Sequence, residues 1–268
     1  RLDYEIGMAR SEQAEGITVG TVAREHDRFA QPVKRIKCPI LCVIFRTGRE
    51  QARLRKGLAQ LAHGSAGDTL RTLEDLVQDL LQEAGNSKGP KEEAALRIIS
   101  RARFAIAQAW AKRGMRDLAR AAYGRFLEAH PEDEQATQAA FNIATLHREQ
   151  KHVEDARDAY EAFRKRPRLA ADRGASVLQA EENLHQEALF LEAGMRGALD
   201  DHDGARELYS EYTRRYASGP RWSEAQRGIV NSVWAKGASA ANKKDYTTAR
   251  STWGVFLEGW PLDPRVAD

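Results

Sequence analysis

Cysteine is nearly absent: Cys38 and Cys42 are the two thiols in 268 residues. Four positions apart beside Pro39, they have no second pair to complete a tetrahedral metal site. They read as buried or incidental thiols, with a disulfide between them as the alternative. Long apolar runs are missing as well. None approaches the ~18 residues that span a bilayer, which excludes a transmembrane helix. A dominant charge sign is also lacking, since 42 Lys and Arg stand against 39 Asp and Glu, a net +3. A polyanion partner does not follow from so small a balance. The chain starts at Arg1 without a signal-peptide pattern, which fits cytosolic residence or a targeting segment removed beforehand.

Motifs for chemistry are lacking too. The seven histidines, at positions 26, 63, 130, 147, 152, 185 and 202, are scattered and form no His-Glu-x-x-His zinc signature. His147 and His152, five apart, do not share a face on one ideal helix. His130, before Pro131, suits a helix end, where its charge would complement the dipole. The pairs Glu92 with Glu93, Glu181 with Glu182, and Asp200 with Asp201 read as solvated helix faces, because nothing sets two carboxylates in different environments across a cleft. Gly64 and Gly67 lack the Lys and Ser or Thr of a phosphate-binding loop. The reading is a noncatalytic protein with no metal and no cofactor.

What is present divides the chain into three. Residues 1–49 form an N-terminal extension or cap that holds most of the basic excess: residues 1–56 carry 12 Lys and Arg against 7 Asp and Glu. Lys34, Arg35, Lys37, Arg46, Arg49, Arg53, Arg55 and Lys56 could form one basic surface for a nucleic acid, though no recognition module accompanies them. The run Ile40–Phe45, closed by Thr47 and Gly48, suits by its length a buried strand or an apolar plug.

Residues 50–89 form a degenerate helical hairpin and a linker. Leu54, Leu58 and Leu61 make one stripe, stopped by His63 and Gly64. Leu70, Leu73, Leu76, Val77, Leu80 and Leu81 make the next, with Asp68 as its cap and Gly85 at its end. Gly85–Pro90 reads as an exposed loop.

Residues 90–268 carry repeated hairpins, with an insertion near 168–200. A helix over 91–113 turns at Gly114 into a second that bears Ala119, Tyr123, Phe126 and Pro131. The pattern returns as Ala156, Tyr160, Phe163 and Pro167, as Ala205, Tyr209, Tyr212 and Pro220, and as Ala249, Trp253, Phe256 and Pro261. The small residues are 37, 49 and 44 positions apart, and each is followed at four and seven by an aromatic. Such a stripe places the small side chain and both rings on one helix face, and stacked hairpins bury that face continuously. The 49-residue interval predicts a long helix over 176–199, loosened by Gly194 and Gly197.

The spacing Ala, three residues, Tyr, two residues, Phe or Tyr, then Pro resembles the tetratricopeptide repeat (TPR) family, in the Tyr/Phe/Pro variant of bacterial periplasmic and envelope-assembly proteins. The resemblance implies an all-α fold: a right-handed superhelical solenoid of antiparallel TPR-like hairpins behind a less regular N-terminal segment. It implies a protein-interaction scaffold whose first helices line a groove for a partner peptide, and it favours the periplasm or envelope, with peripheral association, over the cytoplasm. Arg101, Gln108, Lys112, Asn142, Arg148, Asn231 and Lys236 are the candidate groove residues, the two amides because they can both donate to and accept from an extended backbone. The alternatives are an architectural accessory module of an enzyme or export system, and nucleic-acid binding through the basic segment. Oligomeric state does not follow from the pattern.

Overall fold

In the computed structural model the described residues are 39–84 and 89–267, with side chains described over 48–82 and 89–267. By contact the chain divides into two units, Arg1–Phe45 and Arg46–Asp268. In the first, the described part is backbone over 39–45 alone. Lys34, Arg35, Lys37, the thiols Cys38 and Cys42, the Arg46 side chain, and residues 85–88 of the expected linker lie outside what is described.

The described chain is helical throughout: α1 Pro39–Ala62, α2 Ala66–Ala84, α3 Pro90–Lys112, α4 Arg116–Ala129, α5 Ala136–Glu149, α6 Val153–Arg164, α7 Ala175–Ala198, α8 His202–Arg215, α9 Trp222–Asn242, α10 Tyr246–Gly259, and a final 3-10 turn, Pro264–Ala267. The expected strand or plug over 40–45 is instead the start of α1. Six apolar residues are too few for periodicity to separate strand from helix. Proline is tolerated in a first helical turn, and the residues after Gly48 favour helix.

Five hairpins, α1 with α2 through α9 with α10, share one three-residue turn. Its middle residue has a left-handed backbone at Gly64 (φ 83°), Gly114 (74°), Lys151 (62°), Asp200 (61°) and Lys244 (62°). In the second hairpin Gly114 N–H donates to the Ala111 carbonyl at 2.9 Å and Met115 N–H to the Trp110 carbonyl at 3.1 Å, the two bonds of a Schellman cap. His152 to His147, Asp201 to Arg196 and Asp245 to Ala240 repeat the longer bond.

The constant turn fixes which residues meet. A ring of the first helix packs on two rings of the second: Phe104 on Tyr123 and Phe126, Phe141 on Tyr160 and Phe163, Phe190 on Tyr209 and Tyr212, Trp234 on Trp253 and Phe256, with centroids 5.1–5.8 Å apart. The first-helix ring precedes its first partner by 19 residues in every case. Leu54, Leu73 and Leu76 keep the same spacing in the first hairpin, so leucines replace rings there and all three are buried. Sixteen residues before the same partner stands a small residue: Gly57, Ala107, Ala144, Ala193 and Gly237. At Gly57 and Gly237 a Cβ would fall 2.3 Å from Leu73 and Trp253, so the second helix rests on a first helix stripped of its side chain. Ala119, Ala156, Ala205 and Ala249 are likewise buried.

The insertion has two parts. Ten residues link α6 to α7, and α7 runs 24 residues where α5 runs 14. Gly194 and Gly197 do not loosen α7. The helix continues to Ala198, and both glycines face α8, opposite the Tyr209 hydroxyl and the Ala205 methyl.

Candidate functional site

Three of the seven candidate groove residues converge. Gln108 and Lys112 from α3 and Asn142 from α5 line one cavity of about 370 Å³, with Leu61, Ala111, Tyr123, Thr145, Leu146 and Glu149 around them. Helical spacing explains the convergence, since Gln108 with Lys112 and Asn142 with Leu146 are i, i+4 pairs on one face. Lys112 Nζ donates to the Leu61 carbonyl at 2.9 Å, which seats the ammonium at the end of α1. Asn142 Nδ2 donates to the Tyr123 hydroxyl at 3.0 Å, and Asn142 Oδ1 accepts from Gln138 at 2.8 Å. Burial pushes the Tyr123 phenol up to about 12, so it stays protonated. The Gln108 amide has no hydrogen bond among the described residues.

The other four sit elsewhere. Arg101 lines a cavity of about 560 Å³ between α1 and α3, with Gln51, Leu54, Arg55, Leu58, Ala94, Arg97 and Ile98. Arg148 is exposed on α5, near the Tyr160 hydroxyl. Lys236 on α9 is held by Asp203 at 2.7 Å, and Asn231 Oδ1 accepts from Arg265 Nη1 at 3.0 Å. Within the expected basic surface, Arg53 is bound to Asp79 at 2.5 Å.

Several polar groups read as solvated are built into the fold. Glu181 is buried and accepts the Leu169 backbone N–H at 3.0 Å, anchoring the loop before α7. Asp201 caps α8 through the Gly204 N–H. Asp68 lies inside the first turn of α2 rather than at its cap, because Ser65 closes the turn. His130 does end α4, but burial and then Arg103 lower its pKa, which favours the neutral ring over the dipole-paired cation. Glu192, which the sequence reading does not single out, is fully buried between Arg164 at 2.7 Å and Arg196 at 2.9 Å. His147 and His152 do meet, with ring centroids 6.2 Å apart, because α5 stops at Glu149 and the turn folds back.

The tetratricopeptide repeat family profile matches residues 101–133 and 138–167. Among solved structures, the kinesin light chain TPR-like repeats of Podosopora anserina are 13% identical, with 77% of this chain and 96% of that one covered and a TM-score of 0.47. MamA protein is 11% identical over 81% of this chain and 94% of its own, TM-score 0.43. BtubC from P. vanneervenii is 12% identical over 81% and 90%, TM-score 0.37. No curated protein matches the sequence significantly. The profile falls on two hairpins with complete ring triads and the same triad recurs in the two that follow, so the chain carries a TPR-like helical repeat fold.

Proposed function

We propose that the chain is a protein-interaction scaffold and that a partner segment lies in the groove between α3 and α5. The observation that carries this reading is the convergence of Gln108, Lys112 and Asn142 on one cavity of about 370 Å³ whose remaining lining is largely apolar. An extended peptide would meet an amide able to donate and accept in Gln108, a fixed cation in Lys112, and an apolar wall from Leu61, Ala111 and Leu146. Pockets of this make-up bury a few side chains and read the backbone between them.

A photo-crosslinking amino acid at Gln108 tests the proposal. Adducts should form in native cells from position 108 and not from Arg125, an exposed residue of α4. Equal adducts from both positions, or none from 108, would overturn it. The Ala, Tyr, Phe and Pro spacing supports the finer proposal that the partner belongs to a bacterial envelope assembly. Fractionation before crosslinking decides that point, since adducts confined to cytosol would reject it.

A further inference from the structure

Among the described residues, the turn between α5 and α6 gathers the one group of three ligating side chains close enough to share a metal ion. His147 lies in the last turn of α5, His152 precedes α6, and Asp155 lies in its first turn. One ligand atom from each comes within 4.8 Å of the others. Asp155 Oδ2 is the hub, 3.5 Å from His147 Nδ1 and 3.9 Å from His152 Nδ1. A tetrahedral zinc ion with ~2.0 Å bonds needs ligand atoms about 3.3 Å apart. His152 and Asp155 are exposed, so side-chain rotation alone can close the set by that amount.

The direction of the His147 ring matters. Arg120 Nη1 lies 2.9 Å from His147 Nδ1. A guanidinium only donates, so Nδ1 is the unprotonated nitrogen of the ring, with its lone pair engaged by Arg120 in this arrangement. Arg120 also has a second partner, Asp117 Oδ1, at 2.7 Å. A metal ion at Nδ1 would take the place of one Arg120 hydrogen bond while Arg120 stays tied to Asp117. Asp117 also accepts from Gln150 at 3.0 Å, which places another carboxylate beside the cluster.

We propose that His147, His152 and Asp155 form a binding site for a divalent transition-metal ion, zinc in the first instance, that clips the turn of the third hairpin. Two imidazoles and one carboxylate suit zinc, nickel or copper and disfavour magnesium and calcium, which take oxygen ligands. Water completes the coordination, and no protein group beyond these three is required. The site is structural, closing a turn whose left-handed residue is Lys151 rather than glycine.

Calorimetric titration of the untagged chain with zinc chloride tests this, with circular dichroism confirming that each variant folds. The parent should bind one zinc per chain, and magnesium chloride should give no saturable heat. His152→Ala and Asp155→Asn should each weaken zinc at least tenfold, while His63→Ala should leave it unchanged. Arg120→Gln should tighten binding by removing the competing donor, an effect that nonspecific binding elsewhere on the surface would not show. Zinc affinity unaltered in both His152→Ala and Asp155→Asn, or no saturable binding at millimolar zinc, would overturn the proposal.

Discussion

His185 is a residue whose surroundings strongly alter its chemistry. It is 4% exposed, packs 4.5 Å from Phe163, and its Nε2 has no hydrogen-bond partner among the described residues. Burial, then the nearby Arg168, Arg215 and Arg164, push its pKa down to about 4 against the opposing pull of Glu182. The unfolded chain takes up a proton near pH 6.5 that the folded chain refuses until about pH 4. Stability therefore falls as the pH drops through that window. Between pH 7 and 5 this one group accounts for about 2 kcal/mol. His130 and His147, also lowered, act in the same direction. Denaturant melts at the two pH values check it: the fall should be smaller in His185→Gln, and equal falls in parent and variant would remove His185 as the cause.

At the scale of elements, two devices hold neighbouring helices. The first is the ring triad, edge-to-face in three hairpins and tilted around Trp234, an arrangement worth about 0.5–1.5 kcal/mol per pair beyond area burial. The second is the charge network on Glu192. Arg164 and Glu161 come from α6, Glu192 and Arg196 from α7, Asp201 from the following turn and Glu211 from α8. With its side chain fully buried, Glu192 lies between two guanidiniums that are each about a quarter exposed. Removing one partner of a buried pair costs about 3–5 kcal/mol, because the charge left behind keeps its desolvation penalty. Glu192→Ala should lose somewhat less, about 2–3 kcal/mol in chemical denaturation, because Arg164 keeps Glu211 and Arg196 keeps Glu161 and Asp201. Glu187→Ala, removing a partly exposed partner of Arg221, should lose less than about 1 kcal/mol. Similar losses in the two variants would show that burial does not set the scale of the network.

Across the whole repeat array, each hairpin contacts its neighbours in sequence, and α5 with α7 and α7 with α9 add contacts between first helices. Stability in such an array is approximately a sum of local terms and nearest-neighbour interfaces. Damage should therefore stay local. Phe256, fully buried against Trp234 and Trp260, tests this. Phe256→Ala should cost about 3–5 kcal/mol in its own hairpin. Amide hydrogen exchange should accelerate over α9 and α10, with α3 and α4 little changed. Uniform acceleration over all hairpins would point to a single cooperative unit instead.

The second helices were legible in advance because their apolar stripe is local: Ala119, Tyr123 and Phe126 lie within eight residues, and helical geometry alone places them on one face. The hairpins, their turns at Gly64 and Gly114 and the long helix after the insertion followed from the same short-range physics. The partners of those stripes were not legible. Phe104, Phe190 and Trp234 meet their rings across a turn, and their regular signal, an interval of 19 residues, becomes visible only once the turn is known to be three residues long. The candidate groove residues divided for the same reason. Sequence could put Gln108, Lys112, Asn142, Asn231 and Lys236 on first helices, but packing brought the first three to one cavity and gave Lys236 to Asp203. Composition also could not show that Glu181 and Glu192 are buried or that His147 meets His152. From Glu50 onward the sequence by itself determined the helices, their inward faces and their repetition, all set by contacts within a few turns of one chain segment. Only the tertiary structure decided which polar side chains are sealed, paired or gathered, because those outcomes depend on residues brought together from different helices.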